Sequence, residues 1–368
     1  MKKILILANS ASGLYDFRNE LIIELQKEHE VFISLPDPQK VPEFEKEGCK
    51  VYHTPIDRRG VNPLRDIRLL RDYWKLLGRV RPDIVLTYTI KPNIYGSLCC
   101  RLRKIPYIVN ITGLGSAFES GGMIQKIVVM LYRVALKSAA CIFFQNEENR
   151  KIFEQFGIRG KKERQVFGSG VNLDRHRFQE YPLKEERMIF VYVGRVMKEK
   201  GIDELLYAAR EIHKEYPQVL FQLVGNYEDD YKEVIERDEQ DGVLELVGYQ
   251  KNIIPFYKEA SAVLMPSYHE GMSNVILEAS ANGRPVLATL ISGCKEGFEN
   301  GVTGLGFPPR DKEALLAALK KFIELPYEQR AQMGKNARLK MEKEFDRRYV
   351  VKAYMEEIHE IEKENVLR

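Results

Sequence analysis

The chain has little of what redox or metal chemistry needs. Among its 368 residues there are five cysteines, and Cys49, Cys99, Cys100, Cys141 and Cys294 form neither a Cys-x-x-Cys pair nor a pattern with histidines. That spacing argues against a disulfide framework and a structural zinc site, and leaves reduced, mostly buried thiols as the expected state. Long apolar runs are missing as well. The greasiest stretch, 124–136, is interrupted by Lys126 and Arg133 and is too short to span a bilayer. At the start, Lys2-Lys3 leads straight into Ile4-Leu5-Ile6-Leu7 and then into polar Asn9-Ser10, which reads as a first strand and not as a secretory leader. A cytoplasmic protein is expected. No excess of one charge stands out: a net charge of +4, without an aromatic-studded basic stripe, argues against a nucleic-acid partner.

What is present is a soluble globular balance, 44% hydrophobic with 30% charged, in a chain too long for one ordinary core. Strand-like and helix-like patterns alternate from the start: 3–7, 16–27, 30–35, 42–47 and 50–53, with further strands at 83–87, 107–111 and 141–144. Repeated βα units argue for a parallel sheet with helices on both faces. A second such series opens near Met188, and the glycine-rich and polar stretch between the two has the character of a connection. The expected organisation is α/β: two Rossmann-like, doubly wound domains facing a cleft. The first domain is 1–168, a linker follows at 169–185, and the second is 186–345, with a terminal helix at 346–368.

Two segments carry the chemistry. The bulky apolar run 188–193 reads as a buried parallel strand, closed by Gly194. Arg195 follows, and Lys200 stands just before Gly201 and a helix expected over 203–215. A planar Arg fork and a point-charge Lys at one helix start suit a diphosphate, because both match phosphate oxygens and add to the positive end of the helix dipole. No metal would then be needed for the leaving charge. The second segment is Glu270-Gly271-Met272-Ser273-Asn274 and, beyond it, Glu278. Ala262 to Met265 reads as a strand and Ser273 as the cap of a helix ending at Asn282-Gly283. The amides of Gly271, Met272, Ser273 and Asn274 would face a ligand. Carboxylates accept hydrogen bonds from vicinal hydroxyls, so Glu278 is assigned to ribose and Glu270 to a transferred sugar. Both segments sit where an α/β sheet holds a nucleotide, outside the carboxyl ends of its strands.

With Gly13 in the first βα loop, Gly225 after a strand at 219–224, and Gly248-Tyr249 after one at 244–247, these residues resemble glycosyltransferase family 4, of the two-domain GT-B fold. The resemblance spans nearly the whole length. It implies a UDP-sugar co-substrate with no other cofactor and no metal. Uracil would lie near Gly248, Tyr249 and Gln250, ribose on Glu278, and the diphosphate on Arg195, Lys200 and the Ser273 helix start, with backbone at Gly13 approaching it. The catalytic set is then Glu270, Arg195 and Lys200. It further implies transfer with retention at the anomeric carbon, an acceptor held by the first domain, and a terminal helix crossing back onto that domain.

One departure matters. Many relatives carry a histidine that meets the donor sugar in the region of Asn110-Ile111-Thr112-Gly113-Leu114-Gly115; this chain has Asn110 and Thr112 instead. Asn110, Thr112, Gly113 and Gly115 are therefore read as acceptor and positioning groups. The departure resembles a subgroup that builds bacterial surface polysaccharides and lipid-linked oligosaccharides. A lipid-linked, polyprenyl-diphosphate saccharide is the implied acceptor, and a hexose, hexuronic acid or N-acetylhexosamine the implied cargo. Between 58 and 81 lies a cationic amphipathic pattern, with Leu64, Ile67, Leu70, Trp74 and Leu77 on one side and Arg65, Arg68, Lys75 and Arg79 near the other. Such a helix either docks peripherally on the anionic inner face of a membrane or is an ordinary surface helix. Two rivals remain: a GT-B UDP-N-acetylhexosamine 2-epimerase, for which His269 is the one well-sited histidine, and a non-catalytic nucleotide-sugar-binding subunit.

Overall fold

In a computed structural model of the chain, which describes residues 1–57, 60, 62–113, 122–183 and 187–366, two compact units appear. The first is Met1–Ser169 together with Arg348–Arg368, and the second is Gly170–Arg347.

The first unit is built on a seven-stranded sheet of order β3-β2-β1-β4-β5-β6-β7. Its strands are β1 (Lys2–Leu7), β2 (His29–Leu35), β3 (Lys50–His53), β4 (Ile84–Tyr88), β5 (Tyr107–Ile111), β6 (Cys141–Phe144) and β7 (Glu163–Gln165). All pairings are parallel. The inner strands β1, β4, β5 and β6 read as apolar runs because both faces are covered: Ile4 and Ile6 pack into one core, Leu5 and Leu7 into the other. Helices Ala11–Gln26 and Arg347–Val366 cover the first face. Helices Pro63–Val80, Ser97–Arg103, Gly122–Leu136 and Glu147–Gln155 cover the second. Each fully buried Leu or Ile contributes about 1.5–3 kcal/mol.

Helix Ala11–Gln26 begins earlier than its apolar pattern suggests. Ser10 caps it, accepting from the Gly13 amide at 3.2 Å, so Gly13 lies inside the first turn and not in the open loop expected of it. Helix Pro63–Val80 is capped by Asn62, carries Pro63 in its first turn and ends at Arg81 in the left-handed region. Its buried face is Leu69, Tyr73, Leu76, Leu77 and Val80, so Leu64, Ile67 and Trp74, expected on one side with Leu77, face outward instead.

The last helix is held to the first unit by charge and by stacking. Arg164 of β7 donates to Glu357 at 2.8 Å and to Glu356 at 3.1 Å, Lys162 pairs with Glu357 at 2.8 Å, and Tyr354 stacks on Phe143 at 4.2 Å between ring centroids. No described helix is long and apolar enough to cross a membrane. All five cysteines are free and buried.

The second unit carries a six-stranded parallel sheet of order β10-β9-β8-β11-β12-β13. These strands are β8 (Ile189–Val193), β9 (Leu220–Val224), β10 (Leu244–Leu246), β11 (Ala262–Met265), β12 (Val286–Thr289) and β13 (Gly304–Phe307). The stretch expected as a linker packs onto this unit: Val171 joins Leu277, Met341 and Phe345 in a small core, and Tyr181 donates to the Ser261 carbonyl at 3.0 Å.

Candidate active site

The second sheet grows outward from β8 in one direction through β9 and β10, then resumes on the other side of β8 with β11. The exits of β8 and β11 therefore flank a topological switch point, where open α/β sheets bind ligands. After β8 come Gly194, Arg195, a short turn at Lys198–Lys200 and helix Ile202–Glu215; after β11 come the 266–272 loop and helix Asn274–Ala281. The two exits are tied together. The Tyr268 amide donates to the Glu199 carbonyl at 2.9 Å. Gly201, at φ +72°, approaches so closely that a Cβ there would stand 2.2 Å from the Pro266 carbonyl oxygen.

Across this junction Lys200 Nζ donates to Glu270 Oε1 at 2.5 Å, and the two side chains are only 19% and 14% exposed. Arg195 does not join them. Its guanidinium donates to Glu228 at 2.5 Å and is half exposed. The two cations expected to converge on one helix start are thus held by separate carboxylates. Arg195 belongs instead to a cavity of about 560 Å³ bordered by Gly194, Gly225, Glu228, Tyr249 and Gln250. Its floor is a ladder of loop backbone: Gly194 N–H donates to Val224 at 3.0 Å, and Gly225 N–H donates to the Gly248 carbonyl at 2.9 Å. Tyr249 is exposed at its rim. The glycines and the aromatic read from the exits of β8, β9 and β10 therefore come together.

Ser273 caps helix Asn274–Ala281, its hydroxyl accepting from Ile276 at 3.4 Å. Two details correct the expected amide cluster. The Ser273 amide is already donated to the Gly293 carbonyl at 2.7 Å. The Met272 side chain is buried in the small core with Leu277, which leaves only backbone at that position to meet a ligand. Gly271 and Asn274 flank them at the same helix start.

Glu278 lies within that helix, partly buried, and accepts from the Tyr257 hydroxyl at 3.3 Å. Burial, reinforced by this carboxylate, holds the Tyr257 phenol far above its ordinary range, so it stays a donor. His176 sits 3.9 Å from the other Glu278 oxygen. The Asn282 side-chain amide lies 3.0 Å from His176 Nδ1; as the donor, it places the imidazole proton on Nε2, facing Glu278. Nothing near Glu278 in the sequence points to Tyr257 or His176; only folding brings them together.

Burial pushes the His176 pKa down from 6.5 to about 4, with Arg175 and Arg347 adding to it. The unfolded chain takes up this proton near pH 6.5, the folded one only near 4. The stabilising difference is complete above 6.5 and is lost as pH falls toward 4. Across that window the wild type is expected to lose about 3 kcal/mol that His176→Gln does not lose, measured by denaturant unfolding at successive pH values. Parallel profiles for the two proteins would refute this.

In the first unit, Asn110 is the penultimate residue of β5 and almost fully buried; its backbone carbonyl accepts from the Asn93 side chain at 2.9 Å, while neither atom of its own amide group has a partner among the described residues. Thr112 and Gly113 follow at the strand exit, and Gly115 lies outside the described residues. Beside them, after β4, Thr89 adopts φ +73°, which is costly for a β-branched residue and which no sequence signal announced. Among the described residues, no three His, Cys, Asp or Glu side chains gather as a metal site.

Known proteins place this geometry. Residues 174–340 match the family described as Glycosyl transferases group 1, and residues 3–146 match the one described as Glycosyl transferase 4-like. The N,N'-diacetylbacillosaminyl-diphospho-undecaprenol alpha-1,3-N-acetylgalactosaminyltransferase of Campylobacter jejuni is 24% identical over 353 residues, covering 91% of this chain and 93% of its own. The Escherichia coli UDP-Gal:alpha-D-GlcNAc-diphosphoundecaprenol alpha-1,3-galactosyltransferase is 26% identical over 297 residues, 76% of each chain. Among solved structures, Anabaena Alr3699/HepE in complex with UDP and glucose shares the fold with a TM-score of 0.81 at 19% identity, over 98% of this chain and 100% of that one. The chain thus belongs to the glycosyltransferases, a GT-B enzyme with a glycosyl transferase 4-like domain at 3–146 followed by a group 1 domain at 174–340.

Proposed function

We propose that the chain moves a hexose, hexuronic acid or N-acetylhexosamine from a UDP-sugar to a polyprenyl-diphosphate-linked saccharide, with retention, without a metal, in bacterial polysaccharide or glycan assembly. The names of the Campylobacter and Escherichia relatives support the acceptor class, and the second of these names also supports UDP as carrier. The observation that carries the reading is the Lys200–Glu270 pair at the β8/β11 switch point, beside a capped helix start.

In this reading uracil enters the cavity at Tyr249 and Gln250, ribose hydroxyls meet Glu278, and the diphosphate lies along Lys200 and the helix start of Asn274–Ala281. Arg195 borders the same cavity and meets the diphosphate from the other side. As the glycosidic bond loosens, negative charge collects on the departing diphosphate. A largely buried ammonium and a fixed helix dipole stabilise that charge more than they stabilise the ground state. The leaving phosphate oxygen takes the acceptor proton, and Glu270, released from Lys200 by the diphosphate, orients the transferred sugar. Positive charge for the leaving group comes from side chains and backbone, so EDTA is expected to leave turnover unchanged.

A panel of UDP-sugars, incubated with polyprenyl-diphosphate-linked acceptors with and without EDTA, tests this. The expected result is acceptor-dependent release of UDP that EDTA leaves intact, with an axial product linkage by NMR from an axial donor. Conversion of UDP-N-acetylhexosamine without any acceptor would assign the site to epimerisation instead. Tight UDP binding without turnover on any acceptor would make the chain a binding subunit.

A further inference from the structure

Three helices on one face of the first sheet present to water what a soluble protein normally hides. On helix Gly122–Leu136 the exposed residues include Met123, Ile127, Met130 and Val134, spaced four, three and four apart and thus in a single stripe about 16 Å long. On helix Pro63–Val80 a matching stripe holds Leu64, Ile67 and Trp74. Exposure reaches 78% at Met123, 77% at Leu64 and 63% at Ile67. Helix Ser97–Arg103 binds the two together: Arg103 stacks over the Trp74 ring at 3.9 Å and donates to the Trp74 carbonyl, while Arg101 donates to the Val134 carbonyl. Leu102, between these two tethers, is 69% exposed. The apolar stripes are therefore parts of one fixed face.

Cations accompany the stripes. Among the described residues, Arg68, Lys75, Lys104, Lys126 and Lys137 have no carboxylate within ion-pair distance, whereas the acidic Asp66 is already engaged by Lys91 at 2.7 Å and Tyr95 at 2.9 Å. Contiguous exposed apolar surface of this kind marks a docking face. Its charge decides the occupant. A second copy of the chain would set unpaired lysines against unpaired lysines, and interface cores are depleted of such charge. An anionic bilayer satisfies both parts: methionine, isoleucine, leucine and tryptophan enter the acyl boundary while the lysines and arginines meet phosphate head groups.

We infer that this face of the first unit, made by helices Pro63–Val80, Ser97–Arg103 and Gly122–Leu136, lies on an anionic lipid bilayer. All three helices begin at the carboxyl edge of the sheet, the edge where Asn110, Thr112 and Gly113 stand. The first unit's candidate acceptor residues thereby lie at the edge from which the bound helices start. The inference rests on surface chemistry and does not depend on which sugar is moved.

The full chain tests it without a label, because Trp74 is its only tryptophan. With vesicles of phosphatidylcholine containing phosphatidylglycerol, the protein is expected to sediment and its emission to shift to the blue; with phosphatidylcholine alone both changes should be much weaker. Ile127→Glu with Met130→Glu, and separately Lys126→Glu with Lys137→Glu, should each weaken binding at least about tenfold, and added salt should do the same. On a water-soluble acceptor analogue the first double variant should turn over like the wild type, which separates failure of this inference from failure of the proposed reaction. Equal binding to neutral and anionic vesicles, or binding without a shift of Trp74 emission, would overturn the inference. So would a dimer in lipid-free buffer that the first double variant dissolves.

Discussion

Lys200→Ala is expected to slow sugar transfer by about two to three orders of magnitude, the effect of removing one preorganised donor from a developing oxyanion. The size follows from burial. Lys200 is 19% exposed and already lies at the junction beside Glu270 before the diphosphate takes that carboxylate's place, so little solvent reorganisation accompanies its interaction with the diphosphate. Arg195 is half exposed and engaged by Glu228, so solvent screens it and Arg195→Ala should cost less. A folding defect can be told apart from lost chemistry. Lys200→Ala leaves Glu270 without its cation, at a stability cost of about 1–3 kcal/mol. Adding Glu270→Gln should recover much of the lost Tm while the rate stays low. Recovery of rate along with Tm in that double variant would show that the pair is only structural. Wild-type kcat/KM in Lys200→Ala would remove the residue from the mechanism.

Gly225→Ala is expected to cost about 3 kcal/mol and to lower Tm by roughly 10 °C, with uridine nucleotide binding lost well below that temperature. A Cβ on Gly225 would stand 1.8 Å from the Gly194 carbonyl oxygen, backbone against backbone, so no side chain can swing away. The displaced strand exits are those joined by the Gly194-to-Val224 and Gly225-to-Gly248 hydrogen bonds beneath the 560 Å³ cavity. Because the collision deforms the floor of that cavity, stability and binding should fall together. Gly113→Ala is the control: a Cβ there meets nothing within 4 Å among the described residues. Unchanged Tm in Gly225→Ala would mean that the two loops are not in contact in solution.

The fold was largely legible because its strands are short and the inner ones are buried on both faces. Strands Lys50–His53, Tyr107–Ile111, Cys141–Phe144 and Ala262–Met265 have the bounds their composition suggests. Helix Ala11–Gln26 was harder, since Ser10-Ala11-Ser12-Gly13 has turn composition and only the Ser10 cap reveals it as a helix start. On helix Pro63–Val80, Trp74 and Leu77 sit close enough in register to suggest one apolar side, whereas Tyr73 takes the core place beside Leu77 and leaves Trp74 outside.

The site divides in the same way. Residues at strand exits are local in sequence, so Arg195, Gly225, Tyr249 and Gln250 could be named before their shared cavity was known. Their electrostatic partners are not local. Glu228 is 33 residues from Arg195, Glu270 is 70 from Lys200, and His176 is about a hundred from Glu278. Ion pairing across such distances is decided by sheet order, and for that reason two cations that look adjacent in sequence serve different carboxylates. Nor does composition indicate that Ser273 would give its amide to Gly293, a contact made by a loop after β12.

The account depends on the second unit gathering one nucleotide diphosphate at the β8/β11 junction. Calorimetric titration of UDP into the full chain tests this most directly. The prediction is saturable heat at one site per chain, with affinity reduced at least about tenfold, or 1.4 kcal/mol, in Lys200→Ala and separately in Glu278→Ala. No heat with the wild type, or wild-type affinity in both variants, would contradict it.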